Sequence, residues 1–268
     1  MNILGSIGPR KVDKPLVIYG YGRLGHLAEE IFKELGVRVV NIVTNEIPWV
    51  RTRSSNKTQE YKAKTLLAIC VATEPYSQVI APLVASGWTD IVPVWDIIEA
   101  YPEVGIRNGW FCGEITDEDA EGIDVVDWGF CDLSSRGHYL SFREWHCKRD
   151  EWLPKNIEPK KSLPSSLADI RARQCLHVFP SSDCGYIPSE ISIHAEGFEY
   201  ETLNLNLNIL QTWRPKMEVA CYHSRDGLWK IPKFLMDNLP DYDFKFRLHS
   251  FQGQGAYIYA TPKERGEG

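Results

Sequence analysis

Three residues at the ends of two short apolar runs have the types and spacing to do chemistry together. The run Glu190 to Ile193 ends in His194-Ala195-Glu196-Gly197, and the run Lys216 to Tyr222 ends in His223. Histidine titrates near neutral pH, so His194 and His223 are candidate general bases, and Glu196 can hold a substrate hydroxyl. His249, in Arg247-Leu248-His249-Ser250, is a further candidate in a loop before the last strand. His194 also reads as a packing or surface residue at a strand end. Convergence of His194, Glu196 and His223 on a metal is conceivable. A single His-x-Glu pair is frequent by chance, however, and no metal is expected.

A second candidate lies near the start, in Val17-Ile18-Tyr19-Gly20-Tyr21-Gly22-Arg23-Leu24-Gly25. Glycines in such a turn let backbone N–H groups approach a phosphate at a helix N-terminus. A dinucleotide site also needs an acid near the end of the next strand, to bond the ribose hydroxyls. That place reads Thr44-Asn45-Glu46, with Glu46 two residues past the expected spot. Gly20, Gly22 and Gly25 therefore read in two ways, as a cofactor loop or as a structural tight turn.

These residues need elements to position them. Leu16 to Tyr19, Val37 to Val43, Thr65 to Ala72 and Asp90 to Val94 are short apolar runs that read as strands. Between them, His26 to Leu35 and Pro75 to Ser86 carry helical spacing, and Trp95 to Tyr101 starts another helix. Residues 46 to 62 are polar and read as loop. The spacing predicts a Rossmann-like α/β domain over residues 13–105. Residues 106–154 read as a helical connector. Thr116 caps one helix there, with Asp119 three residues later, and a second runs from Ser134 to Leu153 with an aromatic stripe. Residues 155–262 read as a second α/β unit. It holds helices over Ser165 to Gln174, Tyr200 to Leu210 and Leu228 to Leu239, and strands over Cys175 to Pro180, Glu190 to His194 and Lys216 to Tyr222. Asp243 to Leu248 and Ala256 to Ala260 alternate like a closing hairpin.

The run "ISIHAEGFEYETL", followed by "WRPKMEVACYHSRDGLWKIPKFLMDNLPDYDFKFRLHSFQGQGAYIYA", resembles the C-terminal half of FkbM-type methyltransferases. "WHCKRDEWL" and the first half resemble the N-terminal extension of longer members. The resemblance implies an S-adenosylmethionine-dependent enzyme that O-methylates a sugar or other small hydroxylated molecule. It implies Glu196 and His223 in the active site, with His194 standing where the family has an acid. It also implies that Glu158, followed by Pro159, bonds the adenosine ribose. The family's Asp-x-Gly-Ala-x-x-Gly strand end should precede Glu158, yet only five residues separate Trp152 from Glu158. A second gap falls between Gly185 and Ile187. The methyltransferase-like sheet is thus expected to be truncated. That opens two alternatives, a catalytically inactive binding or assembly protein and a nucleotide-dependent enzyme built on Gly20 to Gly25. An exposed strand edge also favours a homo-oligomer.

Bulk properties narrow the classes. The 268 residues are 43% hydrophobic and 25% charged, with a net charge of −6. An acidic chain without a basic tract argues against nucleic acid as a partner. No apolar run is long enough for a membrane span, and the start, MNILGSIGPRK, has no apolar signal core. Seven scattered cysteines without a Cys-x-x-Cys pair read as reduced thiols, mostly buried. The expected setting is the cytoplasm, with a small-molecule or sugar substrate.

Overall fold

The structure is a computed structural model and describes residues 8–44, 58–106, 108–151, 157, 166–174, 177, 179 and 187–265. Glu46, Glu158 and most of the expected Cys175 to Pro180 strand lie outside these residues.

The first half begins with β1 (Leu16–Tyr19), α1 (Arg23–Glu34) and β2 (Val39–Val43). A short helix, α2 (Gln59–Ala63), occupies the end of the segment expected to be loop, and Thr58 caps it by accepting from the Tyr61 N–H. Then come β3 (Leu66–Ile69), α3 (Tyr76–Ala85), β4 (Ile91–Pro93) and α4 (Val94–Glu99). The sheet is parallel throughout, in the order β2-β1-β3-β4. Alternate residues of a strand face opposite sides, and both sides here are covered. Leu16, Ile18, Leu66 and Ala68 meet Leu27, Ala28, Ile31 and Phe32 of α1. Val17, Leu67 and Ile69 meet Val79, Ile80 and Leu83 of α3.

Two longer helices follow, α5 (Asp117–Gly129) and α6 (Leu133–Lys148). The expected capping box at α5 is present. Thr116 Oγ1 accepts from the Asp119 N–H at 3.2 Å, and Asp119 Oδ2 accepts from the Thr116 N–H at 3.1 Å. Ile123, Val126, Tyr139 and Phe142 of these helices share one core with the second sheet. Next, α7 (Leu167–Arg173) is capped by Ser166 and sends Leu167 and Ile170 into the core of the first half.

The second sheet contains β5 (Glu190–Ile193), β6 (Lys216–Ala220), β7 (Tyr242–Leu248) and β8 (Ala256–Pro262). Its order is β5-β6-β8-β7, with β5 and β6 parallel and the pairs β6–β8 and β8–β7 antiparallel. The molecule is thus α/β with two four-stranded sheets among the described residues, the second of them mixed. Between β5 and β6, one helix was expected over Tyr200 to Leu210. The chain forms two, α8 (Glu199–Leu205) and α9 (Leu207–Trp213), broken at Asn206. The buried Asn206 amide donates to the carbonyls of Thr202 at 2.7 Å and His177 at 2.6 Å, and its Oδ1 accepts from the Phe179 N–H at 2.9 Å. An asparagine side chain that competes for backbone groups interrupts a helix and ties a neighbouring segment to it. After β6, α10 (Lys230–Asn238) packs over the sheet through Ile231 and Leu235.

The two halves interlock. The Phe251 N–H donates to the Ala72 carbonyl at 2.9 Å, and Gln252 Nε2 donates to the Val71 carbonyl. Glu151 accepts from the N–H groups of Tyr76 and Ser77 at the start of α3. Arg149, at the end of α6, pairs with Asp96 of α4, and both side chains are 1% exposed. No helix among the described residues is long and apolar enough to cross a membrane. The described cysteines are free thiols, with Cys70, Cys112 and Cys221 buried and Cys131 exposed.

Candidate functional site

The parallel pair β5–β6 brings His194, Glu196 and His223 together at its carboxyl end. One ligand atom from each lies within 4.8 Å of the others. Such strand ends are where open α/β sheets present side chains to ligands. His194 follows directly on β5, and its ring is held on both sides. Nδ1 is 2.9 Å from Tyr257 Oη, and Nε2 is 2.9 Å from Glu196 Oε1. Glu196 sits at φ 47°, a left-handed conformation uncommon for a non-glycine residue. Backbone strain of this kind persists where surrounding contacts fix it, and it clusters at functional sites. Here the turn aims a carboxylate inward that is 1% exposed. Asn108 Nδ2 donates to its Oε2 at 3.3 Å.

His223 is fully buried. Its Nδ1 lies 2.6 Å from Glu199 Oε1, while its Nε2 has no hydrogen-bond partner among the described residues. Glu196 Oε2 is 3.5 Å from that Nε2, outside hydrogen-bond geometry. Glu199, the first residue of α8, also accepts from the N–H groups of Ala195 at 2.8 Å and Gly197 at 3.0 Å. The carboxylate therefore fixes both the turn that carries Glu196 and the ring of His223.

Burial alone would push both carboxyls up. His223, the hydrogen bonds from His194 and Asn108 to Glu196, and the backbone donors to Glu199 outweigh it and hold both low. Burial pushes His194 down, against the opposing pull of Glu196. For His223 the two carboxylates overcome burial and push it up.

Beside the cluster lies a cavity of about 460 Å³. His194, Ser192 and Tyr257 form one wall, and Arg173, His177 and Phe179 another. The Asn206 bonds to residues 177 and 179 hold that second wall in place. The lining, which also includes Glu218, is polar enough for a small hydroxylated ligand.

The remaining candidates lie elsewhere. His249 Nε2 meets Tyr259 Oη at 2.7 Å within the β7–β8 hairpin. Gly20, Gly22 and Gly25 form the turn from β1 into α1. Gly20, at φ 90°, has no room for a Cβ beside Val71, and a Cβ on Gly25 would fall 2.3 Å from the Gly20 carbonyl oxygen. Among the described residues nothing lies within 4 Å of a Cβ on Gly22. Two of the three glycines are thus required by the turn itself, and one faces open space. The sequence reading passed over Glu199, Tyr257 and Asn108. Glu199 had a signal, an acid opening a helix three residues after Glu196. Asn108 and Tyr257 had none, because tertiary packing alone brings them in.

No family model matches the chain, and no curated protein matches it. Among solved structures it is similar to methyltransferase FkbM from Methylobacillus flagellatus KT. The TM-score is 0.55 at 12% sequence identity, over 94% of this chain and 91% of that one. At that identity the likeness shows the fold, and it takes in both halves of the molecule.

Proposed function

We propose that this protein is an S-adenosylmethionine-dependent O-methyltransferase acting on a small hydroxylated acceptor, such as a sugar. The observation that carries the reading is the His194–Glu196–His223–Glu199 cluster opening onto a cavity in an FkbM-like fold. An acceptor hydroxyl in that cavity lies beside His194, the member of the cluster that lines it. The hydroxyl proton would pass to His194, whose resulting charge the Glu196 carboxylate 2.9 Å away offsets. A proton acceptor beside a bound nucleophile speeds transfer chiefly when the two are held in register, as the buried bonds here do. S-adenosylmethionine would supply the methyl group. Glu158, where the resemblance would put the donor's ribose, lies outside the described residues.

The sequence, which has no Asp-x-Gly-Ala-x-x-Gly run before Glu158, supports a second reading, a non-catalytic relative that binds a small molecule or a partner chain. Against it stands the coverage, which leaves few residues of the solved methyltransferase without a counterpart. Calorimetric titration of the full chain with S-adenosylhomocysteine separates the two. Saturable binding, together with transfer of labelled methyl to a hydroxylated acceptor, is the result expected. A folded protein with no affinity for either form of the cofactor selects the second reading.

A further inference from the structure

From the geometry of the cluster we infer that His194, Glu196 and His223 bind one divalent transition-metal cation of the zinc class. The donor set of two imidazoles and one carboxylate is that of many catalytic zinc centres, in which solvent or substrate takes a remaining position. Three observations carry it. The donor atoms already lie within 4.8 Å of one another. His223 Nε2 is buried, makes no hydrogen bond among the described residues, and lies 3.5 Å from Glu196 Oε2. Each imidazole also has an outer partner on its other nitrogen, Glu199 for His223 at 2.6 Å and Tyr257 for His194 at 2.9 Å. Such partners fix the tautomer and orientation of metal-binding histidines.

The charges and protons balance. Two carboxylates, Glu196 and Glu199, are buried together, and a dication offsets both. In the metal-free state the His194 Nε2–H donates to Glu196. On binding, the His194 proton moves to Nδ1 and is donated to Tyr257 Oη, which frees Nε2 as a ligand. His223 keeps its Nδ1–H on Glu199 and binds through Nε2; any proton on that nitrogen goes to solvent. Only His194 of the three lines the cavity, so the cavity gives the open coordination position. A hydroxyl held there loses its proton more readily, because a bound cation stabilises the alkoxide. This consequence rests on the acceptor-site reading above. The binding itself rests on the ligand geometry alone.

The test uses the full chain, stripped with a chelator and titrated with cobalt(II) and zinc(II), with no methyl donor or acceptor present. One equivalent of cobalt is expected, with visible ligand-field bands and no near-ultraviolet thiolate band, and zinc is expected to displace it. His194→Gln and Glu196→Gln should each weaken binding at least tenfold while circular dichroism stays unchanged. Should either variant fail to fold, the wild-type cobalt spectrum still decides between nitrogen–oxygen and thiolate coordination. Absence of saturable binding, a thiolate spectrum, or affinity unchanged in both folded variants overturns the inference. Because no methyl transfer is read, failure here leaves the methyltransferase reading standing, and failure of methyl transfer leaves this one standing.

Discussion

His146 shows how one buried side chain sets an acid limit. Its ring is fully buried and stacks on Trp110 at 3.7 Å, and its Nδ1 lies 2.7 Å from the Trp110 carbonyl oxygen. Burial, reinforced by the nearby Arg149 charge, brings it from 6.5 down to about 3. The folded value is the lower one, so below 6.5 the unfolded chain takes up a proton that the native chain refuses. Stability is therefore unaffected above that pH and is lost as pH falls toward 3, by about 1.4 kcal/mol per pH unit. His194 acts in the same direction and His223 in the opposite one, so the comparison is made against a variant. Denaturant unfolding of wild type and His146→Gln between about pH 6.5 and about pH 5 should give a steeper loss for wild type. Parallel lines would assign the acid sensitivity elsewhere.

At the scale of elements, the turn from β1 into α1 was legible as a βαβ unit, while its purpose was not. Gly20 and Gly25 are explained by backbone approach, and only Gly22 leaves room for a ligand. Gly22 has φ −78°, which any residue adopts, so Gly22→Ala should leave stability within about 0.5 kcal/mol or raise it slightly. Gly25→Ala puts a methyl against a carbonyl oxygen and should cost about 1–3 kcal/mol. Denaturation midpoints of the two variants check this, and equal costs would sink the distinction. The other elements follow the same division. Apolar runs and caps revealed β1, β3, α5 and α7, because their signals are local. The break at Asn206 and the helix over Gln59–Ala63 stayed hidden, since the first depends on a segment 29 residues away in sequence. In the cluster, His194, Glu196 and His223 were visible as polar residues after apolar runs. Glu199 looked like one more helix-opening acid until the fold placed His223 on it.

For the whole molecule, the joint between the halves is a buried ion pair in a polar setting. Arg149 occupies a left-handed position at the end of α6, with φ 55°, and reaches Asp96 in α4. The same guanidinium donates to the carbonyls of Gly109 at 2.6 Å and Trp145 at 3.1 Å. Burial pushes the Asp96 carboxyl up and Arg149 pulls it back only in part. A pair this deep adds little over an apolar contact, but half of it alone is costly, about 3–5 kcal/mol, because the remaining charge has no water. With Trp145 seated on the core of the first half and residues 251 and 252 bonded to Ala72 and Val71 just past β3, each sheet loses buried contacts when the other opens. Hydrogen exchange should therefore give β1 and β6 the same opening free energy in wild type. In Asp96→Ala the stranded guanidinium disrupts the joint first, and the protection of the two sheets should separate, with both lower than in wild type. Two sheets that already exchange independently in wild type would mean that Asp96 and Arg149 close a contact between autonomous domains. A variant that lowers both equally would place the pair inside one cooperative core.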